Sequence, residues 1–176
     1  MKITITAFFL IFFAMTVAAG AWAADTVVDM HAVTPEGTGN KIGTITIRTS
    51  DYGTLFIPQL SGLSEGLHGF HVHAHGSCDP ADKDGKMTPA MAAGGHFDPQ
   101  QTKSHKGPYD NGHLGDLPAL YVDSSGVASF PVLAPRLQPS EIKGRALMIH
   151  QGGDNYSDTP KELGGGGARV ACGVVQ

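Results

Sequence analysis

The segment from residue 69 to residue 116 carries six of the nine histidines of this chain, and it constrains the fold more than any other stretch. It begins with Gly-Phe-His-Val-His at residues 69–73. Because side chains alternate faces along a strand, His71 and His73 would point the same way with Cα atoms roughly 7 Å apart. Two imidazoles at that spacing can bind one ion.

The residues between His96 and Asp116 are rich in Gly, Pro, Asp and Lys, which is typical of a loop. A bound metal would order so long a loop, because its ligands replace the missing hydrophobic core. Imidazoles with one carboxylate suit zinc, whereas an all-imidazole set suits copper or zinc. Seven candidate ligands exceed the needs of one ion, so we expect two metals: the candidates are His71, His73, His96, His105, His113, Asp116 and His150.

Short apolar segments separated by turn residues predict an all-β fold. In residues 42–49 Ile45 and Ile47 alternate with Thr and Arg, the period of a half-buried strand. The 24 Gly and 11 Pro are spread along the chain, which favours tight turns over helices. The predicted strands are 26–32, 42–49, 54–60, 67–74, 120–122, 127–133, 145–150 and 169–175, with turn-rich residues at 34–40 and a hairpin turn at 123–126. We expect one domain, an eight-stranded antiparallel sandwich or flattened barrel interrupted by two long loops, residues 76–118 and 151–168.

The first 23 residues have the pattern of a cleaved signal peptide. Lys2 precedes an apolar run at about residues 7–19, and Ala-Trp-Ala ends at Ala23. Cleavage after Ala23 would leave a mature domain of residues 24–176. The alternative is an uncleaved membrane anchor, against which the short apolar run and the small-residue site both argue. We therefore expect an exported protein without stable membrane association.

The charge argues against one class of function, and the two cysteines predict a disulfide. A formal charge of -4, with 12 basic and 16 acidic residues and no basic cluster, gives no support for nucleic-acid binding. In an oxidising compartment Cys78 and Cys172 can pair only with each other. Two separate buried thiols are the alternative.

Several spaced motifs resemble the copper-zinc superoxide dismutases, in particular their bacterial periplasmic branch. They are Gly-Phe-His-Val-His at 69–73, Gly-His-Phe-Asp-Pro at 95–99, His-Leu-Gly-Asp at 113–116, His-x-Gly-Gly-Asp-Asn at 150–155, and Leu-Gly-Gly-Gly-Gly-x-Arg-x-Ala-Cys-Gly-Val at 163–174. The resemblance extends from about residue 26 to residue 175 and implies a Greek-key sandwich, an architecture for which this family is a standard example.

The resemblance also implies a role for each candidate residue. Copper would be bound by His71, His73, His96 and His150, and zinc by His96, His105, His113 and Asp116, with His96 bridging the two ions as an imidazolate. Asp154 would link a copper histidine to a zinc histidine. Arg169 would lie at the mouth of the substrate channel, and Cys78 and Cys172 would form the family disulfide. His31 and His75 would lie at the surface, and His68 would make a structural hydrogen bond.

The implied reaction is the disproportionation of superoxide, a small anion, to dioxygen and hydrogen peroxide in the periplasm. Arg169 would attract the anion, and His96 would carry a proton to the peroxide. The alternatives are a periplasmic copper- and zinc-binding protein without turnover and an exported β-sandwich with a purely structural role. The second alternative leaves the candidate ligands unexplained. The sequence leaves both a homodimer and a monomer open.

Overall fold

The computed structural model describes residues 24–176. The signal peptide predicted for residues 1–23 lies outside the described residues and stays a prediction. Within residues 24–176, no helix is both long and apolar enough to cross a membrane.

Residues 24–176 form twelve β-strands and three short 3-10 helices. The strands are β1 (Thr26–Thr34), β2 (Gly37–Ser50), β3 (Gly53–Ser61), β4 (Gly66–His68), β5 (Phe70–His73), β6 (Ala81–Lys83), β7 (Lys86–Thr88), β8 (Leu120–Val122), β9 (Val127–Ala128), β10 (Val132–Ala134), β11 (Ala146–His150) and β12 (Arg169–Val174). The 3-10 helices are Met91–Ala93, Pro139–Glu141 and Leu163–Gly165.

Eight of these strands form one curled antiparallel sheet. Its order is β10-β3-β2-β1-β12-β11-β5, and β9 pairs with β3 at the edge of this path. Strands β4 and β8 form a separate antiparallel pair, as do β6 and β7. This arrangement confirms the all-β, mostly antiparallel fold predicted from the alternating segments.

The central strand β2 shows why the alternation was informative. Ile45 and Ile47 are fully buried, while Arg48 on the other face is exposed. The buried face packs into one large core that also holds Phe56 and Phe70, whose rings meet edge to face with centroids 5.4 Å apart. Burial of this one face provides the main hydrophobic stabilisation of the sheet.

Strands β4 and β5 form one nearly continuous segment interrupted at Gly69. Strand β4 pairs with β8, whereas β5 pairs with β11, so the segment passes from one sheet to the other. All four residues of β5 are buried. Phe70 and Val72 lie in the hydrophobic core, which leaves the alternate residues His71 and His73 on the opposite face.

Several local predictions differ from the structure. The single strand predicted at 127–133 is two strands, β9 and β10, which pair with different parts of β3. The turn predicted at residues 34–40 is confined to Pro35 and Glu36, because β2 already begins at Gly37. The turn at 123–126 forms, with Asp123 Oδ1 accepting from the backbone N–H of Val127, but β8 and β9 then pair with different partners, β4 and β3. The long loop predicted at 76–118 contains the β6–β7 hairpin. Only for β8, β9 and β10 are the partner strands distant in sequence. Gly37 pairs with Thr34 of the preceding strand, and β6 pairs with the adjacent β7, so these two departures come from tight local turns.

Cys78 and Cys172 form a disulfide with a Cα–Cα distance of 5.7 Å. The pairing predicted from the sequence is therefore confirmed, and the two-thiol alternative is excluded. The bond ties the segment after β5 to β12 across 94 residues. A loop of that length corresponds to roughly 4 to 5 kcal/mol of stabilisation when the constraint on the unfolded chain is counted.

Candidate metal centre

Four histidines from three parts of the chain meet in a first group. His71 and His73 come from β5, His150 ends β11, and His96 lies in the first loop, which we define as residues 94–119. Each offers one ligand atom, and these atoms lie within 4.8 Å of one another. An isolated β-bridge between His73 and His96 holds the loop against β5.

The ring nitrogens of this first group have no hydrogen-bond partner within residues 24–176 on the side where they converge. They are Nδ1 of His71 and Nε2 of His73, His96 and His150, all buried. A buried polar atom without a partner is costly, so such a set is expected to have a ligand. A metal ion would satisfy all four atoms at once, so the donors fit an all-imidazole site suited to copper or zinc.

The opposite ring nitrogens determine which tautomer each histidine adopts. His73 Nδ1 donates to Gly94 O at 2.8 Å, and His150 Nδ1 donates to Gly167 O at 3.0 Å. His71 Nε2 donates to Asp154 Oδ2 at 2.8 Å. Because the proton is held on these atoms, the nitrogen facing the group carries a free lone pair, which is the form that binds a metal.

Burial keeps these rings neutral in the metal-free chain. It lowers the pKa of His150 to about 4. Burial, with a further contribution from His96, also lowers the pKa of His71 and of His73 well below the usual value. Neutral imidazoles do not have to lose a proton before they bind a metal at neutral pH.

A second group consists of three imidazoles around one carboxylate. Asp116 Oδ1 lies 2.8 Å from His96 Nδ1, 3.0 Å from His105 Nδ1 and 3.2 Å from His113 Nδ1. All four side chains are buried, and their ligand atoms lie within 4.8 Å of one another. Three imidazoles and a carboxylate fit a four-coordinate zinc site.

The electrostatics of the second group favour an ionised carboxylate. Burial acts to raise the pKa of Asp116, but the adjacent imidazoles of His105, His113 and His96 lower it far below its usual value. Burial likewise acts to lower the pKa of His105, but Asp116 and Asp154 together raise it to about 9. His96 behaves differently, since burial outweighs Asp116 and lowers its pKa. The site thus combines one fixed negative charge with imidazole donors.

His96 belongs to both groups. Its Nδ1 faces Asp116 in the second group, while its Nε2 is the atom without a partner on the side of the first group. The two nitrogens of one imidazole ring therefore point into two donor sets, which is the geometry that a bridging ligand requires.

Asp154 connects the two groups on their buried side. Its Oδ2 accepts from His71 Nε2 and its Oδ1 accepts from His105 Nε2, both at 2.8 Å. The backbone of Gly164 packs directly on this carboxylate: a Cβ built on Gly164 would lie 1.9 Å from Asp154 Oδ1. Gly164 also has a φ of 72°, so glycine is required there by both space and conformation.

Arg169 faces a cavity of about 400 Å³ that opens onto the first group. His73, His96 and His150 line the same cavity, as does Lys83 from β6. The guanidinium of Arg169 donates to Ala90 O at 2.5 Å and to Gly94 O at 2.6 Å. A fixed positive charge therefore lies beside the unpartnered nitrogens, where a small anion could enter.

The remaining histidines occupy other positions. His68 is buried and holds the backbone of His150, with its Nδ1 2.6 Å from His150 O. His75 is exposed, and the Nδ1 of the half-buried His31 lies 3.1 Å from Gly39 O. The carbonyl of Gly94, which accepts from both His73 and Arg169, is a functional group that was not predicted from the sequence. No signal in the sequence could reveal it, because a backbone carbonyl is common to every residue.

Comparison with known proteins agrees with this geometry. A sequence model of the family described as copper/zinc superoxide dismutase (SODC) matches residues 41–175. The chain is 56% identical over 170 residues to the Superoxide dismutase [Cu-Zn] of Escherichia coli K12, covering 96% of this chain and 98% of that protein.

Two solved structures have the same fold. The Cu/Zn superoxide dismutase from Brucella abortus superposes with a TM-score of 0.86 and 51% identity over 87% of this chain and all of that one. The monomeric copper, zinc superoxide dismutase from Salmonella enterica gives a TM-score of 0.79 and 56% identity, again over 87% of this chain and all of that one. The family model matches most of this chain, and its relatives are more than half identical to it. The chain therefore belongs to the copper/zinc superoxide dismutase family.

Proposed function

We propose that this chain disproportionates superoxide, converting two superoxide anions and two protons to one dioxygen and one hydrogen peroxide. One superoxide is oxidised and the other reduced, so no further oxidant or reductant is consumed. Membership of the family supports the reaction. The observation that assigns it to particular residues is that the two nitrogens of the His96 ring face two different donor sets.

The donor chemistry supports a division between the two groups. We assign copper to His71, His73, His96 and His150, and zinc to His96, His105, His113 and Asp116. Bound copper supplies the one-electron redox couple, whereas zinc has no redox chemistry and serves to order the first loop.

Arg169 binds and orients the substrate in this proposal. Removal of Lys2 with the signal peptide changes the formal charge from -4 to -5, so the protein as a whole repels an anion. The guanidinium of the half-buried Arg169, anchored by Ala90 O and Gly94 O, provides local positive charge at the cavity beside the first group. Field-guided association is a general device of enzymes with charged substrates, and this family is a standard example of it.

His96 carries the proton in this proposal. Its Nε2 is buried at the cavity and unpartnered, so a proton held there lies next to the position of the reduced substrate. On the other side of the ring, Nδ1 faces Asp116 within the group assigned to zinc, which would keep the ring in place while Nε2 gains and loses its proton.

We further propose that residues 1–23 are removed on export and that residues 24–176 act in the periplasm. The basic start, apolar run and Ala-Trp-Ala site support cleavage after Ala23. The disulfide is consistent with an oxidising compartment. Mass spectrometry of the protein from a periplasmic extract should give a chain that begins at Ala24; an intact N-terminus in the membrane fraction would contradict this. Light scattering of the same sample separates a monomer from a homodimer.

The test of the function is superoxide removal by the purified protein before and after loading with one equivalent each of zinc and copper. We expect fast turnover only when copper is bound. Tight binding of both metals without turnover would instead favour a non-catalytic metal-binding protein, and failure to bind either metal would favour a structural role.

A further inference from the structure

The first loop lacks strands or helices of its own, so its conformation depends on contacts with other parts of the molecule. His105 lies in the middle of this loop and is almost fully buried. Arg136 holds the far end of the loop by donating to the carbonyls of Asp110 and Gly112. The part that carries His105 is held partly within the loop, where the N–H of Lys106 donates to Asp116 Oδ2 at 3.2 Å and that of His113 to Ser104 O at 3.0 Å. It is also held from outside by the second loop, which we define as residues 151–168 between β11 and β12.

Asp158 of the second loop accepts from the backbone of His105. Its Oδ2 lies 2.9 Å from the N–H of His105, and its Oδ1 accepts from the N–H of Leu163 at 3.2 Å. One carboxylate thus joins the main chain of a candidate zinc ligand to the second loop. The contact is charge-assisted and therefore stronger than a hydrogen bond between neutral groups.

Tyr156 contacts the first loop at two further points. Its phenolic oxygen accepts from the N–H of Ala119 at 3.0 Å, just before β8 begins. Its ring lies against the backbone of Gly107, where a Cβ would be 2.6 Å from the Tyr156 Cγ. Gly107 has a φ of 69°, so this close approach and the conformation of the loop both require glycine.

The segment that presents these two side chains is itself compact. Asp154 Oδ1 accepts from the N–H of Tyr156 at 2.8 Å, and the N–H of Gly164 donates to Ser157 O at 3.0 Å. The N–H of Asn155 donates in turn to Gly164 O at 3.1 Å. Residues 154–164 therefore form a closed turn that holds Asp154, Tyr156 and Asp158 in a fixed relation.

From these contacts we infer that Asp158 and Tyr156 are positioning residues for the zinc ligand His105. They hold the backbone on either side of the ligand, while Asp154 orients its ring. Neither touches the donor atoms of the second group, so their effect passes through the conformation of the first loop. This inference rests on the proposed zinc site.

The decisive measurement is the zinc affinity of the copper-free protein, determined by competition with a chromophoric chelator. Partners that orient a metal ligand typically contribute about 10- to 100-fold to affinity. We therefore expect Asp158→Ala to bind Zn²⁺ about tenfold more weakly, and Asp158→Asn, which keeps one acceptor oxygen, to recover part of that loss. Tyr156→Ala should weaken binding similarly, whereas Tyr156→Phe, which keeps the ring on Gly107, should lose much less.

Glu162→Ala is the matched control. Glu162 is exposed in the same loop, and its side chain makes no hydrogen bond within residues 24–176, so the variant removes the same charge without removing the contact. Co²⁺ serves as a spectroscopic probe, since its visible spectrum reports ligand geometry; we expect an altered spectrum for Asp158→Ala and an unchanged one for Glu162→Ala.

The outcomes separate this inference from the proposed function. If Asp158→Ala and Asp158→Asn bind zinc as tightly as Glu162→Ala, the positioning role is wrong while the zinc site stands. If the unaltered protein binds no Zn²⁺ and His105→Ala changes nothing, the zinc site itself is wrong. A metal-free Asp158→Ala protein that fails to fold would also overturn the inference, because the residue would then act on the whole fold. We expect the variant to fold without metal, with only a small decrease in melting temperature.

Discussion

Arg169 and His73 share one hydrogen-bond acceptor, the carbonyl oxygen of Gly94. The Arg169 Nη2 lies 2.6 Å from this oxygen and the His73 Nδ1 lies 2.8 Å from it. The charge proposed to bind the substrate and a histidine proposed to bind copper are therefore positioned by the same peptide group. Any movement of the segment around Gly94 would shift both.

Replacing Arg169 should slow the reaction chiefly by weakening substrate capture. Steering by local charge is worth about 10- to 1,000-fold in association rate, so we expect Arg169→Ala to lose at least about tenfold in activity. Its rate should also depend less on ionic strength, because salt screens the charge that has been removed. Arg169→Lys keeps the charge but cannot reach both carbonyls in the same fork geometry, so it should be intermediate.

The control for this change is Arg48→Ala. Arg48 is exposed and paired with Asp25, and it does not line the cavity. The Arg48→Ala substitution removes the same unit of charge elsewhere on the molecule. Steady-state rates for the three variants over a range of salt concentrations check the prediction, and equal losses for Arg169→Ala and Arg48→Ala would refute a local role.

Replacing Asp154 should chiefly lower the affinity of the second group for zinc. In Asp154→Ala the ring of His105 loses its acceptor, and His71 loses the partner that fixes its tautomer. We expect zinc affinity to fall by about 10- to 100-fold. Zinc competition titrations against the unaltered protein measure the change, and retention of full affinity would show that Asp154 does not orient these rings.

Single histidine changes should separate the two metals. His150 contributes only to the first group and His113 only to the second. We expect His150→Ala to lose copper and retain zinc, His113→Ala to lose zinc and retain copper more weakly, and His96→Ala to impair both. Metal contents after loading and desalting provide the measurement; loss of the same metal in His150→Ala and His113→Ala would contradict the division.

The stability of the metal-free protein should pass through a maximum near pH 6.5. Three histidines have a folded-state pKa below its usual value: His71, His73 and His150, the last at about 4. Because the folded state binds protons less readily at these rings than the unfolded state does, the stability present above pH 6.5 is lost as the pH falls from 6.5 towards 4. His105 has a raised folded-state pKa of about 9, so its contribution is present below 6.5 and is lost as the pH rises from 6.5 to 9.

Thermal melting of metal-free protein across pH 4 to 9 tests this expectation. A matching series on His105→Ala isolates the alkaline limb, which should flatten in that variant. A melting temperature of the unaltered protein that rises steadily up to pH 9 would show that the His105 interactions do not contribute as inferred.

Local sequence patterns located the longer strands and supplied the candidate ligands, but they revealed neither the β6–β7 hairpin nor the break between β9 and β10. Ile45 and Ile47 alternate with polar residues, and burial of one face follows directly from that period. The spacing of His71 and His73 places both rings on one face for the same reason. The pairing of Cys78 with Cys172 required no geometry at all, because each has only one possible partner in the chain.

Tertiary structure alone decided how these residues are held. Strands β8 and β9 flank one turn but pair with β4 and β3, because their partners are determined by packing across the core. The acceptor at Gly94, the contact of Asp158 with the His105 backbone and the ring of Tyr156 on Gly107 also have no local signature. A side chain's chemistry can be read from its identity, whereas a backbone carbonyl or N–H becomes a specific partner only when the folded chain brings it within hydrogen-bonding distance.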